Sequence, residues 1–197
     1  MTPEEQQAGG MQLTVSASAT AAALVLGSGS TGLVLANQVD TDMCDWKPLA
    51  SVWAEHGYRV LIFNYSTALA DQDVLAAAAE LRRRGSSRVF LIGASMGGTA
   101  VLAAAAAAQP PVAGVISLSG PASFAGVDAS GAMRKLAVPA LFLVGEFDEP
   151  FIGDAKTLYA ACAAKDKKLE ILPNRNHGTA LIDDRVDRQI QTFLTQH

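Results

Sequence analysis

The stretch from Arg88 to Ala108, "RVFLIGASMGGTAVLAAAAAA", decides the fold. Its first part, as far as Ile92, is apolar and rich in strand formers. From Met96 onward it becomes an alanine-rich, helix-forming run. A strand therefore turns into a helix within two or three residues, and one serine, Ser95, stands at the junction between Gly93 and Gly97. So tight an elbow places the serine in a strained, left-handed backbone region. Side chains at the flanking positions would collide with neighbouring backbone, so Gly93 and Gly97 supply room. The helix opening at Met96 directs its positive end at a group reacting with Ser95. Gly98 and Ala100 let that helix pack closely. The string G-x-S-x-G is weak evidence alone, and the simplest alternative is an ordinary β-α turn. With a strand before it and a helix after it, the context is that of a nucleophile.

Outward from this stretch, β-rich apolar runs alternate with helical ones. "MQLTVSA" and "AAALVLG" read as two N-terminal strands, and "TGLVLA", ending at Ala36, reads as a third. A helix is predicted from Pro48 to His56, closed by Gly57. The strand "YRVLIFNY", the helix "DQDVLAAAAELRRRG" and the strand "SRVFLIG" lead to the serine. After it come the strands "VAGVISLSG" and "VPALFLVG", the helix "DAKTLYAACAAK", the strand "KKLEILP" and a closing helix, "DDRVDRQIQTFLTQ". Such alternation predicts an α/β fold with a mostly parallel central sheet and helices on both faces. One domain over residues 11–197 suits this length, after a polar, flexible tail at residues 1–10.

The balance of residues excludes several classes of function. The formal net charge is −4 and no basic block stands out, so nucleic acid and anionic membranes are poor partners. Arg82, Arg83 and Arg84 suit the negative end of the helix they close. Val89 to Val127 contains no charged residue, yet Gly93, Gly97, Gly98, Pro110 and Pro111 interrupt it. Buried strand, helix and strand explain it better than a membrane span. Cys44 and Cys162 provide neither a disulfide framework nor a metal spacing. No basic n-region precedes Lys47, so the chain as it stands reads as cytoplasmic, and as exported if a leader was trimmed. "GSGSTG", Gly27 to Gly32, matches G-x-G-x-x-G, but a strand rather than a helix follows. It reads as a hairpin loop between two strands. No cofactor and no metal is expected, and the sequence does not choose between monomer and dimer.

In parallel sheets ligands bind beyond the carboxyl ends of the strands. A serine nucleophile needs a base and an orienting acid there. Of three histidines, His56 lies at a helix end and His197 is the last residue. His177, in "PNRNHGTAL", alone follows a strand. The acid is expected in "LFLVGEFDEPF", where Asp148 fits best; Glu146 and Glu149 are assigned to solvent or to capping, and Asp154 to the cap of the next helix. Trp46 is assigned to packing, and Phe151 either to an acyl pocket or to the core.

Together "GASMGG", "GEFDEP" and "NRNHGTAL" resemble the α/β-hydrolase family over nearly the whole chain. "GASMGGTAVLAAAA" and "HGTALID" are most similar to small bacterial serine hydrolases of the dienelactone-hydrolase kind. Dienelactone hydrolases themselves carry cysteine where this chain has Ser95, and dehalogenases and epoxide hydrolases carry aspartate. The resemblance implies a catalytic triad of Ser95, Asp148 and His177. It also implies an oxyanion hole formed by the backbone N–H groups of Met96 and Val39, with Gln38 as the alternative donor. Family members commonly have His-Gly where this chain has Asn37-Gln38; Asn37 is expected to brace that loop through its amide. Only 17 residues, Pro121 to Ala137, separate two strands where relatives often insert a cap, so no cap domain and an open site are expected.

The implied activity is that of a carboxylesterase-like serine hydrolase. It acts on small esters, or thioesters, through an acyl-enzyme, and is active where His177 is neutral. The alternatives are a catalytically weak or inactive binding protein on the same fold, and an acyltransferase using the same triad.

Overall fold

The expected alternation runs through residues 9–197, which the computed structural model describes. Most of the anticipated tail lies outside those residues, and Gly10 already belongs to a strand. In chain order the strands and helices are β1 (Gly10–Thr14), β2 (Thr20–Leu26), β3 (Thr31–Ala36), α1 (Lys47–Glu55), β4 (Arg59–Phe63), α2 (Ala70–Arg83), β5 (Arg88–Ala94), α3 (Met96–Ala107) and β6 (Gly114–Leu118). There follow β7 (Ser123–Phe124), β8 (Val127–Asp128), α4 (Ala129–Ala132), β9 (Ala140–Gly145), α5 (Phe151–Ala161), β10 (Lys167–Leu172) and α6 (Asp184–Gln196).

Eight strands form the main sheet, in the order β1-β2-β4-β3-β5-β6-β9-β10. β1 pairs antiparallel with β2, and β2 antiparallel with β4. Every other neighbouring pair in this sheet is parallel. Period-2 alternation decides which residues face which layer. In β3, Val34 and Ala36 join the layer that holds Ala77, Ala100 and Leu158, from α2, α3 and α5. Leu33 and Leu35 join the layer that holds Trp53 and Ile190, from α1 and α6. The sheet is therefore covered on both faces, as its apolar strands require.

In the uncharged run from Val89 to Val127, β5, α3 and β6 are core, while residues 109–111 and 123–126 are exposed. Helix α3 buries Gly97 through Leu102 together with Ala104 and Ala105, so it is apolar all round because it is enclosed. Among the described residues, no helix is long and apolar enough to cross a membrane.

Two local expectations need correction. "GSGSTG" does not close a hairpin between paired strands. β4 lies between β2 and β3, so the loop crosses over it. The backbone shows why glycine is needed: a Cβ on Gly29 would meet the carbonyl of Gly57. Asp154 does not cap its helix, since α5 begins three residues earlier, at Phe151. Its carboxylate instead accepts a hydrogen bond from the Ala122 N–H at 3.1 Å, tying α5 to the segment after β6. That segment contains only the β7–β8 hairpin and short helical turns, so no cap domain stands over the sheet's carboxyl edge.

Candidate active site

Ser95 lies between β5 and α3 with φ +51° and ψ −117°. A tight strand-to-helix turn forces this strained conformation on a residue that has a side chain. The turn is held from outside: the Ser95 N–H donates to Leu118 O at 2.8 Å, and the Thr99 N–H donates to Ser95 O at 3.1 Å. A Cβ on Gly93 would strike the Gly97 carbonyl, and one on Gly97 would strike the Ala36 carbonyl. Both glycines thus serve close backbone approach. The Ser95 side chain makes no capping bond to α3. Met96, the first residue of α3, has an N–H with no acceptor inside the helix.

The next two strands repeat the same last rung. The Ser119 N–H donates to Leu143 O at 2.8 Å, and the Glu146 N–H to Leu172 O at 2.7 Å. This staircase carries the chain off β9 into the acid loop. Asp148 is buried at 6% exposure, whereas Glu146 and Glu149 face solvent. His177 follows β10, and its Nδ1 lies 3.1 Å and 3.0 Å from the two carboxylate oxygens of Asp148. An ionised carboxylate only accepts, so Nδ1 carries the proton and Nε2 is left with a free lone pair. The two loops are knit together by the Phe147 N–H, which donates to Asn174 O at 3.0 Å. They approach so closely that a Cβ on Gly145 would press on the carbonyls of Asn174 and Asn176. The Phe151 ring lies 4.2 Å from the imidazole, centroid to centroid. The aromatic residue that the sequence left between pocket and core therefore packs on His177.

Gly178 joins the histidine loop to the elbow. Its φ is +57°, and a Cβ on it would lie 3.5 Å from the Cβ of Ala94, the residue before Ser95. Asp148 and His177 are thus in contact, and the residue after His177 abuts the residue before Ser95. Among the described residues, no hydrogen bond joins Ser95 Oγ to the imidazole.

The loop after β3 is ordered by its own polar groups. Asn37 is buried, and its Nδ2 donates to Thr41 O at 3.0 Å. Its carbonyl accepts from the Tyr65 hydroxyl at 2.8 Å. Burial, reinforced by the nearby Asp73 carboxylate, raises the Tyr65 phenol far above its ordinary value, so it remains a donor. Gln38 Oε1 accepts from the Thr179 N–H at 3.2 Å. Asn37-Gln38 therefore braces the loop and links it to the histidine loop. Val39 is 43% exposed at the loop's tip.

Sequence reasoning missed Ser119 and Tyr65. Ser119 is buried, and its hydroxyl donates to Asp148 Oδ2 at 2.6 Å. Its signal was available, because "SLSG" ends at the carboxyl edge of a strand. Nothing local marks Tyr65, whose contact with Asn37 spans 28 positions. His56 closes α1, as its place before Gly57 suggested, and His197 packs on Phe193. A separate groove of about 320 Å³ lies between α6 and the amino ends of β9 and β10, lined by Arg185, Arg188 and Phe193. It contains none of Ser95, Asp148 and His177. Among the described residues, no three His, Cys, Asp or Glu side chains are grouped to hold a metal ion.

Comparison with known proteins adds the following. Residues 51–133 match the model of a family described as serine aminopeptidase, S33. The match includes the elbow and stops short of Asp148 and His177. No curated protein matches the sequence. Among solved structures, an esterase of Pyrococcus furiosus superposes with a TM-score of 0.81 at 14% identity, covering 100% of this chain and 95% of that one. A dienelactone hydrolase of Anabaena variabilis gives 0.77 at 17% identity, covering 95% and 96%. An enol-lactonase of Burkholderia xenovorans gives 0.74 at 16% identity, covering 94% and 100%. At these identities the likeness is one of fold.

Proposed function

We propose that this chain, whose fold is that of the α/β hydrolases, is a serine hydrolase acting on small carboxylic esters. One observation carries the reading. A buried carboxylate holds the imidazole through Nδ1, and the residue after that histidine packs on Ala94, the residue before a serine held at a strained strand-to-helix elbow.

In this mechanism Ser95 Oγ attacks the ester carbonyl carbon while His177 Nε2 takes the hydroxyl proton. The imidazolium that forms is stabilised by Asp148. The carbonyl oxygen becomes an oxyanion at the amino end of α3, where the Met96 N–H and the helix dipole favour negative charge. The loop after β3 supplies the second donor, at Val39 or Gln38. His177 then returns its proton to the leaving alkoxide. Water repeats the steps on the acyl-enzyme, with His177 again acting as base and then acid. The solved structures of similar fold include an esterase and an enol-lactonase, which is why esters rather than amides are the proposed substrates. The lack of a cap suits short acyl groups or exposed esters.

The test is nitrophenol release from short-chain nitrophenyl esters by the natural protein and by Ser95→Ala. The variant is expected to lose kcat by about 10⁴-fold or more. Equal activity in both would remove the nucleophile. Inertness of both, with no labelling of Ser95 by a fluorophosphonate, would instead indicate a binding protein on a hydrolase fold.

A further inference from the structure

Ser119 takes no part in the steps above, yet its geometry is that of a site residue. It follows β6 as Ser95 follows β5, with a carbonyl of the neighbouring strand accepting its N–H in each case. It is 1% exposed and adopts φ +52°, a conformation that favours glycine. A serine keeping such a backbone needs a return from its side chain. Its hydroxyl lies 2.6 Å from Asp148 Oδ2, and that same oxygen lies 3.0 Å from His177 Nδ1. The carboxylate cannot donate, so Ser119 does. One oxygen of Asp148 therefore receives both the serine O–H and the imidazole N–H.

We propose that Ser119 is a positioning residue for the Asp148–His177 pair. Its hydroxyl locks the rotation of the carboxylate and draws on the negative charge that the imidazolium would otherwise meet undiluted. The proposal rests on the reading of Ser95, His177 and Asp148 as a hydrolytic triad, and goes beyond it in adding a fourth member acting through the acid.

Ser119→Gly is the test, because glycine suits φ +52° and the backbone can stay in place when the hydroxymethyl group is lost. Without that donor, Asp148 stabilises the protonated imidazole more strongly. The acidic limb of the kcat/KM profile is expected to move to higher pH by about half a unit, with kcat down about ten-fold and KM within about two-fold. In an Asp148→Asn background, Ser119→Gly should change kcat by less than about two-fold, since its route of action is gone. A readout independent of turnover is the low-field proton resonance of His177 Nδ1–H, which should shift in Ser119→Gly. If the natural protein cleaves no ester but this resonance shifts, the hydrolase reading fails and the positioning role stands. If both the pH profile and the resonance stay where they are, or the loss is equally large in Asp148→Asn, Ser119 is only a buried hydroxyl and the proposal is overturned.

Discussion

At the residue scale, the acid loop shows how burial sorts chemically similar groups. Glu146, Asp148 and Glu149 lie within four positions, and only Asp148 is buried against His177. A short, buried carboxylate can fix a histidine tautomer, whereas exposed ones are screened by solvent. Asp148→Asn is expected to lower kcat by about 10⁴-fold, because an amide can present its N–H to Nδ1 and so favour the wrong tautomer. Glu146→Gln and Glu149→Gln should each leave kcat within about two-fold, as steady-state assays on the three variants will check. The sequence pointed to Asp148 by loop and chain order. What it could not contain is the Ser119 hydroxyl beside that carboxylate, a contact across 29 positions made by adjacent strands.

At the element scale, α3 and α5 place opposite demands on glycine. In α3, a Cβ on Gly97 would strike the carbonyl of Ala36 and crowd that of Asn37. Gly97→Ala should therefore destabilise by about 2 kcal/mol or more, and should push on the loop that carries the candidate oxyanion donors. In α5, Gly153 has open space around its missing Cβ. There Gly153→Ala should stabilise by about 0.5–1 kcal/mol, since alanine lowers the entropy of the unfolded chain and favours helix. Urea unfolding of the two variants gives the signs directly. The elbow's glycines were legible because G-x-S-x-G between strand and helix has few backbone solutions. The start of α5 was not, because its N-cap is Pro150, which makes no side-chain bond, and Asp154 in its first turn mimics a cap in sequence.

At the scale of the whole molecule, a buried acid sets one pH dependence. Asp73, on α2, is fully buried, and its carboxylate accepts the Ser66 N–H at 3.3 Å. Burial raises its pKa, the Ser66 hydrogen bonds oppose that, and Asp71 adds a little to it. The folded state thus holds this proton more tightly than the unfolded chain does. Its contribution to stability is complete below the unfolded-state value and is lost as pH rises through the higher folded-state value. Asp73→Asn should accordingly raise the thermal midpoint at pH 7, by a margin that shrinks towards pH 4; calorimetry at several pH values will show it. The sequence by itself determined the alternation of elements, the two-sided sheet, the missing cap and the strand ends where Ser95, Asp148 and His177 stand. Periodicity and turn chemistry are local properties, and the rule that parallel sheets bind at their carboxyl edge turns them into a candidate site. Only the tertiary structure decided that β4 lies between β2 and β3, that Gln38 links its loop to the one carrying His177, and that Ser119 bonds to Asp148. Those depend on which strands lie side by side, and strand order is fixed by the packing of the whole sheet between its helices, which no short stretch of residues encodes.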